Sequence, residues 1–287
     1  MTVNDDTVLL QEERFKLIDF LLFFKGRLMR SELVEVLNVG TATASRCIKA
    51  FLKSNPSKAR YLSPRHGYIA DTTYLPKYQH DALMALQYLA YSETTSRFHV
   101  ESFGIPRYSF HPVMNPDVVA PITRSIVTGT DIVMSYTSTR SGRSMKIVKP
   151  HSVFESSGLW YFRAFDREPA EFRTFRFSRV IESCQIESAA AGVKAQDDEW
   201  NRKRTVTVLP HPKNPNPMAQ ILDLGMSEDG SRVLNIPEAL LGFALTDLRV
   251  DCSAGSKLDF REYPLALSSR DELMTVDSMA LAPGFNS

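Results

Sequence analysis

Apolar positions recur at helical spacing in the first quarter of the chain, alternate in its middle, and mix the two periods toward its end. Over residues 11–25, Phe15, Leu17, Ile18, Leu21, Leu22 and Phe24 return every three or four places, and Gly26 follows as a stop. Ser31 reads as the N-cap of a second helix carrying Leu33, Val34, Val36 and Leu37, which ends at the turn Asn38-Val39-Gly40. A third helix opens at Thr41 or Thr43. Its inward stripe is Ala44, Ile48 and Phe51 or Leu52. Residues 59–62 and 67–70 then read as two short strands around the turn Ser63-Pro64-Arg65-His66.

Helix, helix, tight turn, helix and basic hairpin, in that order, predict a winged helix-turn-helix. The outer face of the third helix has the chemistry of a recognition helix. Small polar groups allow close approach to the major groove, and cations meet phosphates. The candidate DNA-contacting residues are therefore Thr41, Thr43, Ser45, Arg46 and Lys49, with Arg65 and His66 at the tip of the wing. The bland alternative is a helical bundle with a charged surface. Helical spacing resumes over residues 77–91, with Leu83, Leu86, Leu89 and Ala90 on one face. Residues 94–121 carry Pro106, Pro112, Pro116 and Pro121 among aromatics and histidines, a packed linker that leads into a short helix over 116–127. His99 and His111, which flank Phe110, are not at i, i+4 and bring no carboxylate, so they predict no metal site.

Period two takes over at Asp131–Ser138, where Tyr136 and Ser138 share a face. Three strand-length runs follow between residues 145 and 180, with breaks expected at Pro150, at Ser156-Ser157-Gly158 and at Glu168-Pro169. Trp160, Phe162 and Ala164 fall on one face; Tyr161, Arg163 and Phe165 fall on the other. Arg173, Phe175, Phe177 and Arg179 share a face if the last strand is unbroken, with Arg176 opposite. A guanidinium binds phosphate or carboxylate as a fork and stacks on aromatic rings. Arginines so close to aromatics suit a cleft for an anionic, nucleotide-like ligand; the alternative is a sheet with solvated outward arginines.

Trp160-Tyr161-Phe162, followed by Arg173-Thr174-Phe175-Arg176 and Ser178-Arg179-Val180, resembles the signature of the WYL domain, with Phe in place of the usual Leu. Pro150-His151 and Arg163-Ala164-Phe165-Asp166 are similar to the subgroup of WYL regulators found beside phage-defence operons of the BREX and CBASS kinds. The resemblance implies a small Sm-like β-barrel that senses a nucleotide or nucleic acid, preceded by a winged helix-turn-helix. It also implies a small C-terminal α/β extension used in dimerisation. With the arginine pattern, it marks Tyr136, Ser138, His151, Arg163, Arg173, Arg176 and Arg179 as candidate effector-binding residues. For His151, a hydrogen-bonded core histidine is the equal alternative.

Past residue 180, residues 188–196 read as a polar hinge, with Trp200 as an anchor at its far end. Residues 205–209 alternate as a strand, and helices are expected over 217–224 and 236–248. The second of these starts with Pro237 and is apolar nearly all round, so its own sheet or another subunit must cover it.

Charge sharpens this division. Residues 1–80 carry 12 Lys and Arg against 8 Asp and Glu, and residues 140–180 carry 9 against 4, whereas 181–287 carry 10 against 16. Two basic segments in a chain of net charge +1 fit two anion-facing surfaces. No apolar run reaches membrane-spanning length, and the acidic start lacks the pattern of a signal peptide. Cys47, Cys184 and Cys252 lie far apart with no CxxC, which suits reduced thiols in a cytoplasmic protein.

The expectation is an α+β chain with a winged helix-turn-helix and connecting helix over 1–92, a linker over 93–125, a WYL barrel over 126–190 and the extension over 203–287. Its partners would be a double-stranded, palindromic DNA operator, a second copy of itself, and a nucleotide or single-stranded nucleic-acid effector, with no membrane. Its role would be repression of a phage-defence operon. No cofactor, metal or catalytic residue is called for. Two rivals stand beside it. One is a nucleotide-acting enzyme, for which Asp166, Glu168 and Glu171 form no recognisable catalytic pattern. The other is a constitutive binder of single-stranded nucleic acid through the basic barrel.

Overall fold

Helix α1 (Val3–Lys25) is the element on which the first half of the chain is built. Between Ile18 and Phe24 every side chain except Phe20 is buried, so this stretch is covered on all sides. Gly26, at φ +64°, ends it in the left-handed region open to glycine. In this computed structural model, described over residues 3–55, 59–91, 114–188 and 192–286, the chain forms two compact units. One comprises residues 1–154 with 160–192, the other 155–159 with 193–287.

After α1 come β1 (Arg27–Leu28), α2 (Arg30–Leu37), α3 (Thr41–Ser54), β2 (Ala59–Ser63) and β3 (Gly67–Ala70). The three strands form a sheet in the order β1-β3-β2. Strand β1 has two residues, too few to show a period, and it escapes a sequence reading. Helix α2 starts at Arg30 with Met29 as its N-cap, not at Ser31. The Glu32 carboxylate explains this, since it accepts the Met29 backbone N–H at 2.8 Å and pairs with Lys25.

Residues 77–81 are not helical, and α4 spans Ala82–Tyr91. The reason lies on α1. Buried Asp19 accepts the backbone N–H groups of Lys77 (2.8 Å) and Tyr78 (3.0 Å), the Tyr74 hydroxyl (2.5 Å) and His80 Nε2 (2.9 Å). Burial works to raise the Asp19 pKa, but those four hydrogen bonds outweigh it and hold the carboxyl below its usual range. Helix α5 (Pro116–Thr128) is capped by Asn115, whose side chain accepts from the Asp117 N–H at 2.9 Å. His99, Phe110 and His111 lie outside the described residues.

Strands β4 (Asp131–Ser138), β5 (Gly142–Ser156), β6 (Leu159–Asp166), β7 (Glu171–Arg176) and β8 (Val180–Ile186) make one sheet in the order β7-β6-β5-β4-β8. Strand β5 runs straight through Pro150, where a break was expected. Strand β7 stops at Arg176, and a 3-10 turn over Phe177–Arg179 intervenes, so the alternation predicted to reach Arg179 is interrupted. Among the described residues the order is linear, with β7 and β8 at its edges. Helix α5 lies against β8, where the Ser183 hydroxyl donates to the Val118 carbonyl at 2.6 Å.

The second unit has the sheet order β10-β9-β12-β11, built from β9 (Lys203–Pro210), β10 (Arg232–Pro237), β11 (Val250–Asp251) and β12 (Leu265–Leu267). Strand β10 takes Ile236 and Pro237 from the predicted helix; α6 is a single turn (Asp198–Asn201), α7 spans Met218–Asp223 and α8 spans Glu238–Asp247. The apolar α8 is covered within its own unit. Leu241 and Leu245 pack with Val206, Val208, Val250 and Leu265. At Gly242 the chain of the 3-10 turn Asp277–Leu281 comes so close that a Cβ would collide with the Ser278 carbonyl oxygen. Buried His211 and Asp251 join at 3.1 Å. His211 Nδ1 accepts the Lys213 N–H at 3.2 Å, which places its proton on Nε2, facing Asp251.

Candidate functional site

Ala44, Cys47, Ile48 and Phe51 turn one face of α3 into the core. Thr41, Arg46 and Lys49 are exposed on the other face, and Thr43 and Ser45 are half-buried beside them. Arg46 Nη2 donates to Thr43 Oγ1 at 3.3 Å, a surface contact that leaves the guanidinium open to a phosphate. The turn before α3 is made by Asn38 in the left-handed region and Gly40 as N-cap. All seven residues predicted for DNA contact thus lie in the winged-helix sheet-and-helix unit, with Arg65 and His66 exposed at the wing tip. The tip is ordered locally: the Ser63 hydroxyl is 2.8 Å from His66 Nδ1 and accepts the His66 N–H at 3.2 Å.

The wing also carries residues that a pattern reading does not single out. The β2–β3 register skips between Tyr61 and Ser63, and this bulge at Leu62 leaves Tyr61 and Leu62 more than half exposed. Tyr61 rests edge-on against Tyr68 at 5.2 Å. A groove of about 640 Å³ runs between the wing and the N-terminal ends of α2 and α3, lined by Arg30, Ser31, Thr41, Ser45, Tyr61 and Tyr68 among others. Gly67, at φ +69°, lets β3 approach β1; a Cβ there would overlap the Leu28 carbonyl oxygen.

The arginine-rich sheet separates its predicted residues into distinct places. In Trp160-Tyr161-Phe162, Trp160 and Phe162 join the core, and Tyr161 faces the other way. Tyr161 pairs in register with Arg176, and Arg163 with Thr174, so Tyr161, Arg163 and Arg176 share a face. The Arg176 guanidinium lies 5.3 Å from the Tyr161 ring centre, and its Nη2 donates to the Tyr161 hydroxyl at 2.9 Å. Phe154 stacks on the same ring at 5.3 Å. From the core side, where Tyr136 packs edge-on against Phe175, the Tyr136 hydroxyl accepts the Arg176 backbone N–H at 3.2 Å, so Tyr136 reaches this strand through its backbone. Arg176 Nε is buried with no protein hydrogen-bond acceptor among the described residues.

Arg173 stands opposite Ala164 on the other face, where it pairs with Glu171 (3.0 Å) and approaches Asp166 (3.9 Å), itself joined to Lys146 at 2.9 Å. Ser138 braces the β4–β5 turn by accepting the Arg140 N–H at 3.1 Å. His151 is half-buried against Phe172, with Nδ1 2.9 Å from the Ser152 hydroxyl. Arg179 sits half-buried in the 3-10 turn. Sequence spacing pointed to Arg163, Arg176 and Tyr136 as candidates. It did not find Tyr161 or Phe154 as their partners, because that grouping depends on strand register. Among the described residues no group of three His, Cys, Asp or Glu side chains is placed to hold a metal.

Residues 11–92 match the family described as the BrxR transcriptional regulator winged helix-turn-helix domain, and residues 117–185 match the WYL domain family. The chain carries a BrxR-type winged helix domain and a WYL domain. Relatives span nearly its whole length. A DNA-binding transcriptional repressor CapW of Escherichia coli (strain KTE188) is 24% identical over 277 residues, 92% of this chain and 90% of that protein. The CapW repressor of Pseudomonas aeruginosa is 25% identical over 278 residues, 92% of this chain and 90% of its own. That of Stenotrophomonas maltophilia is 25% identical over 265 residues, 88% of each. The WYL domain match begins at Asp117, inside α5. Among the described residues, no helix is long and apolar enough to cross a membrane.

Proposed function

We propose that the protein is a DNA-binding transcriptional repressor of the CapW type, with the exposed face of α3 and the wing as its DNA surface. The observation that carries this reading is one of position. Thr41 and Ser45 of α3, Arg30 and Ser31 of α2, and Tyr61 and Pro64 of the wing line one groove, in a chain that aligns along nearly its full length with CapW repressors. Thr41, Thr43 and Ser45 meet base edges, and Arg46, Lys49, Arg65 and His66 meet the backbone. Two copies related by a two-fold axis read a palindromic operator, joined through the C-terminal unit. The Tyr161–Arg163–Arg176 cluster receives the phosphate or base of a nucleotide or single-stranded nucleic acid, which shifts operator affinity by favouring one arrangement of the dimer.

The test is a mobility-shift titration against the DNA immediately upstream of the gene, at several fixed salt concentrations. Wild type is expected to bind one palindromic stretch tightly. Arg46→Ala with Lys49→Ala should weaken binding and lower the log–log salt slope by about 2, since each lost phosphate contact removes about 0.9. Equal, weak binding of wild type and double variant to any duplex would overturn the reading.

A further inference from the structure

Arg124, on α5 of the WYL domain, is almost fully buried yet, among the described residues, meets no carboxylate within ion-pair distance. Each of its three nitrogens donates to a backbone carbonyl. Nε donates to the Phe23 carbonyl, in the last turn of α1, where helical carbonyls have no partner within the helix. Nη1 donates to Thr72 O at 3.1 Å and Nη2 to Tyr74 O at 3.2 Å, both just past the end of the wing. The guanidinium also lies over Phe23 (5.1 Å) and Tyr74 (5.9 Å). A cation at a helix C-terminus is favourable, so α5 adds in trans a second cap to the one that Gly26 makes on the Leu22 carbonyl. One turn earlier on α1, Asp19 grips the same segment through Tyr74, Lys77, Tyr78 and His80. The exit of the wing is thus held by one buried anion and one buried cation.

Arg124 is in turn placed by the sheet. Helix α5 is fastened to β8 by Ser183 on Val118, and Gln185 Nε2 donates to Thr128 (3.0 Å) and Thr130 (2.6 Å) around its C-terminal end. Strand β8 follows directly on the 3-10 turn that succeeds Arg176. A rearrangement at Arg176 therefore reaches Arg124 through one turn, one strand and one helix, all packed together.

We propose that Arg124 is the positioning residue through which the WYL sheet sets the wing: a displacement of α5 by β8 is delivered to the wing exit by this one guanidinium. The inference concerns coupling within the first unit and stands apart from which ligand or DNA is bound. It is tested on the full chain by hydrogen–deuterium exchange, read segment by segment. Arg124→Met is expected to speed exchange at residues 70–80 by about tenfold or more while strands β4–β8 keep wild-type protection. The paired variant Ser183→Ala/Gln185→Ala, which loosens α5 from β8, should also speed exchange at 70–80, but should add nothing once Arg124 is Met.

A purely structural role predicts otherwise, with independent effects that multiply, or faster exchange spread over the whole chain. Either result overturns the proposal, as does an unchanged 70–80 segment in both variants. If Arg124→Met does not fold, Arg124→Lys keeps the charge but not the three-way fork, and the same cycle is run with it. Operator binding measured alongside separates the two questions: a wild type that ignores its upstream DNA sinks the repressor reading and leaves the exchange cycle to decide coupling.

Discussion

Asp19→Ala is the substitution with the largest expected cost for the chemistry removed. The wild-type carboxylate is fully buried and accepts four hydrogen bonds, two of them from the backbone N–H groups of Lys77 and Tyr78. Deletion leaves those donors facing an apolar methyl. Hydrogen bonds to a charged group contribute about 1.5–3 kcal/mol each, but four to one carboxylate are not additive, and removing one side of a buried charged network typically costs about 3–5 kcal/mol. Against a total stability of about 5–15 kcal/mol, that is a large share. The assay is urea unfolding at pH 7 followed by circular dichroism, where a loss of this size lowers the midpoint by about 1–2 M.

The same network gives stability a pH signature. Because the folded pKa of Asp19 lies below its unfolded value of about 3.9, its contribution is complete above that pH and is lost as pH falls toward the folded pKa. Wild type should therefore weaken below about pH 4 more steeply than Asp19→Ala. A variant within about 1 kcal/mol of wild type at pH 7 would refute the reasoning, since no buried hub could be removed so cheaply.

Three further outcomes follow from the geometry. Gly67→Ala must both adopt φ +69° and push on the Leu28 carbonyl, so it should cost about 2 kcal/mol or more and weaken operator binding through a displaced wing; unchanged melting would contradict the close approach. Native protein treated with iodoacetamide at pH 8 should gain one adduct by mass spectrometry, at exposed Cys184. Cys47 and Cys252 are buried, and burial together with Asp251 pushes the Cys252 thiol up to about 12, so its rapid labelling would be incompatible with this packing. His211→Ala should destabilise the second unit by about 2–4 kcal/mol, by unpairing buried Asp251 and leaving a cavity, with the loss read in a melting curve.

Much of the DNA-binding domain was legible because its signals are local. The turn at Asn38-Val39-Gly40, the stripe of α3 and the hairpin around Pro64 each lie within a few residues of the atoms that cause them. The start of α4 was not legible, because Lys77 and Tyr78 look helical until Asp19, nearly sixty positions away, claims their N–H groups. Pro150 was misread for a related reason: strand β5 tolerates it where the neighbouring residues continue the strand, which a proline in isolation does not reveal. At the arginine-rich sheet, alternation correctly separated Trp160 and Phe162 from Tyr161. It grouped Arg173 with Arg179 on an unbroken strand, and the 3-10 turn after Arg176 undoes that grouping.

The all-round burial of Ile18–Phe24 bears on how such regulators can be recombined. One face of α1 serves α3 and another serves α5, within a single continuous core. A chimera cut after residue 92, at the end of the winged-helix match, would strip the second face and expose a run of leucine and phenylalanine to water. A graft that carries residues 1–188 as one piece, sheet included, would keep that helix and α5 clothed. In this chain the exchangeable module, for an engineer or for recombination, is longer than the domain that sequence similarity outlines.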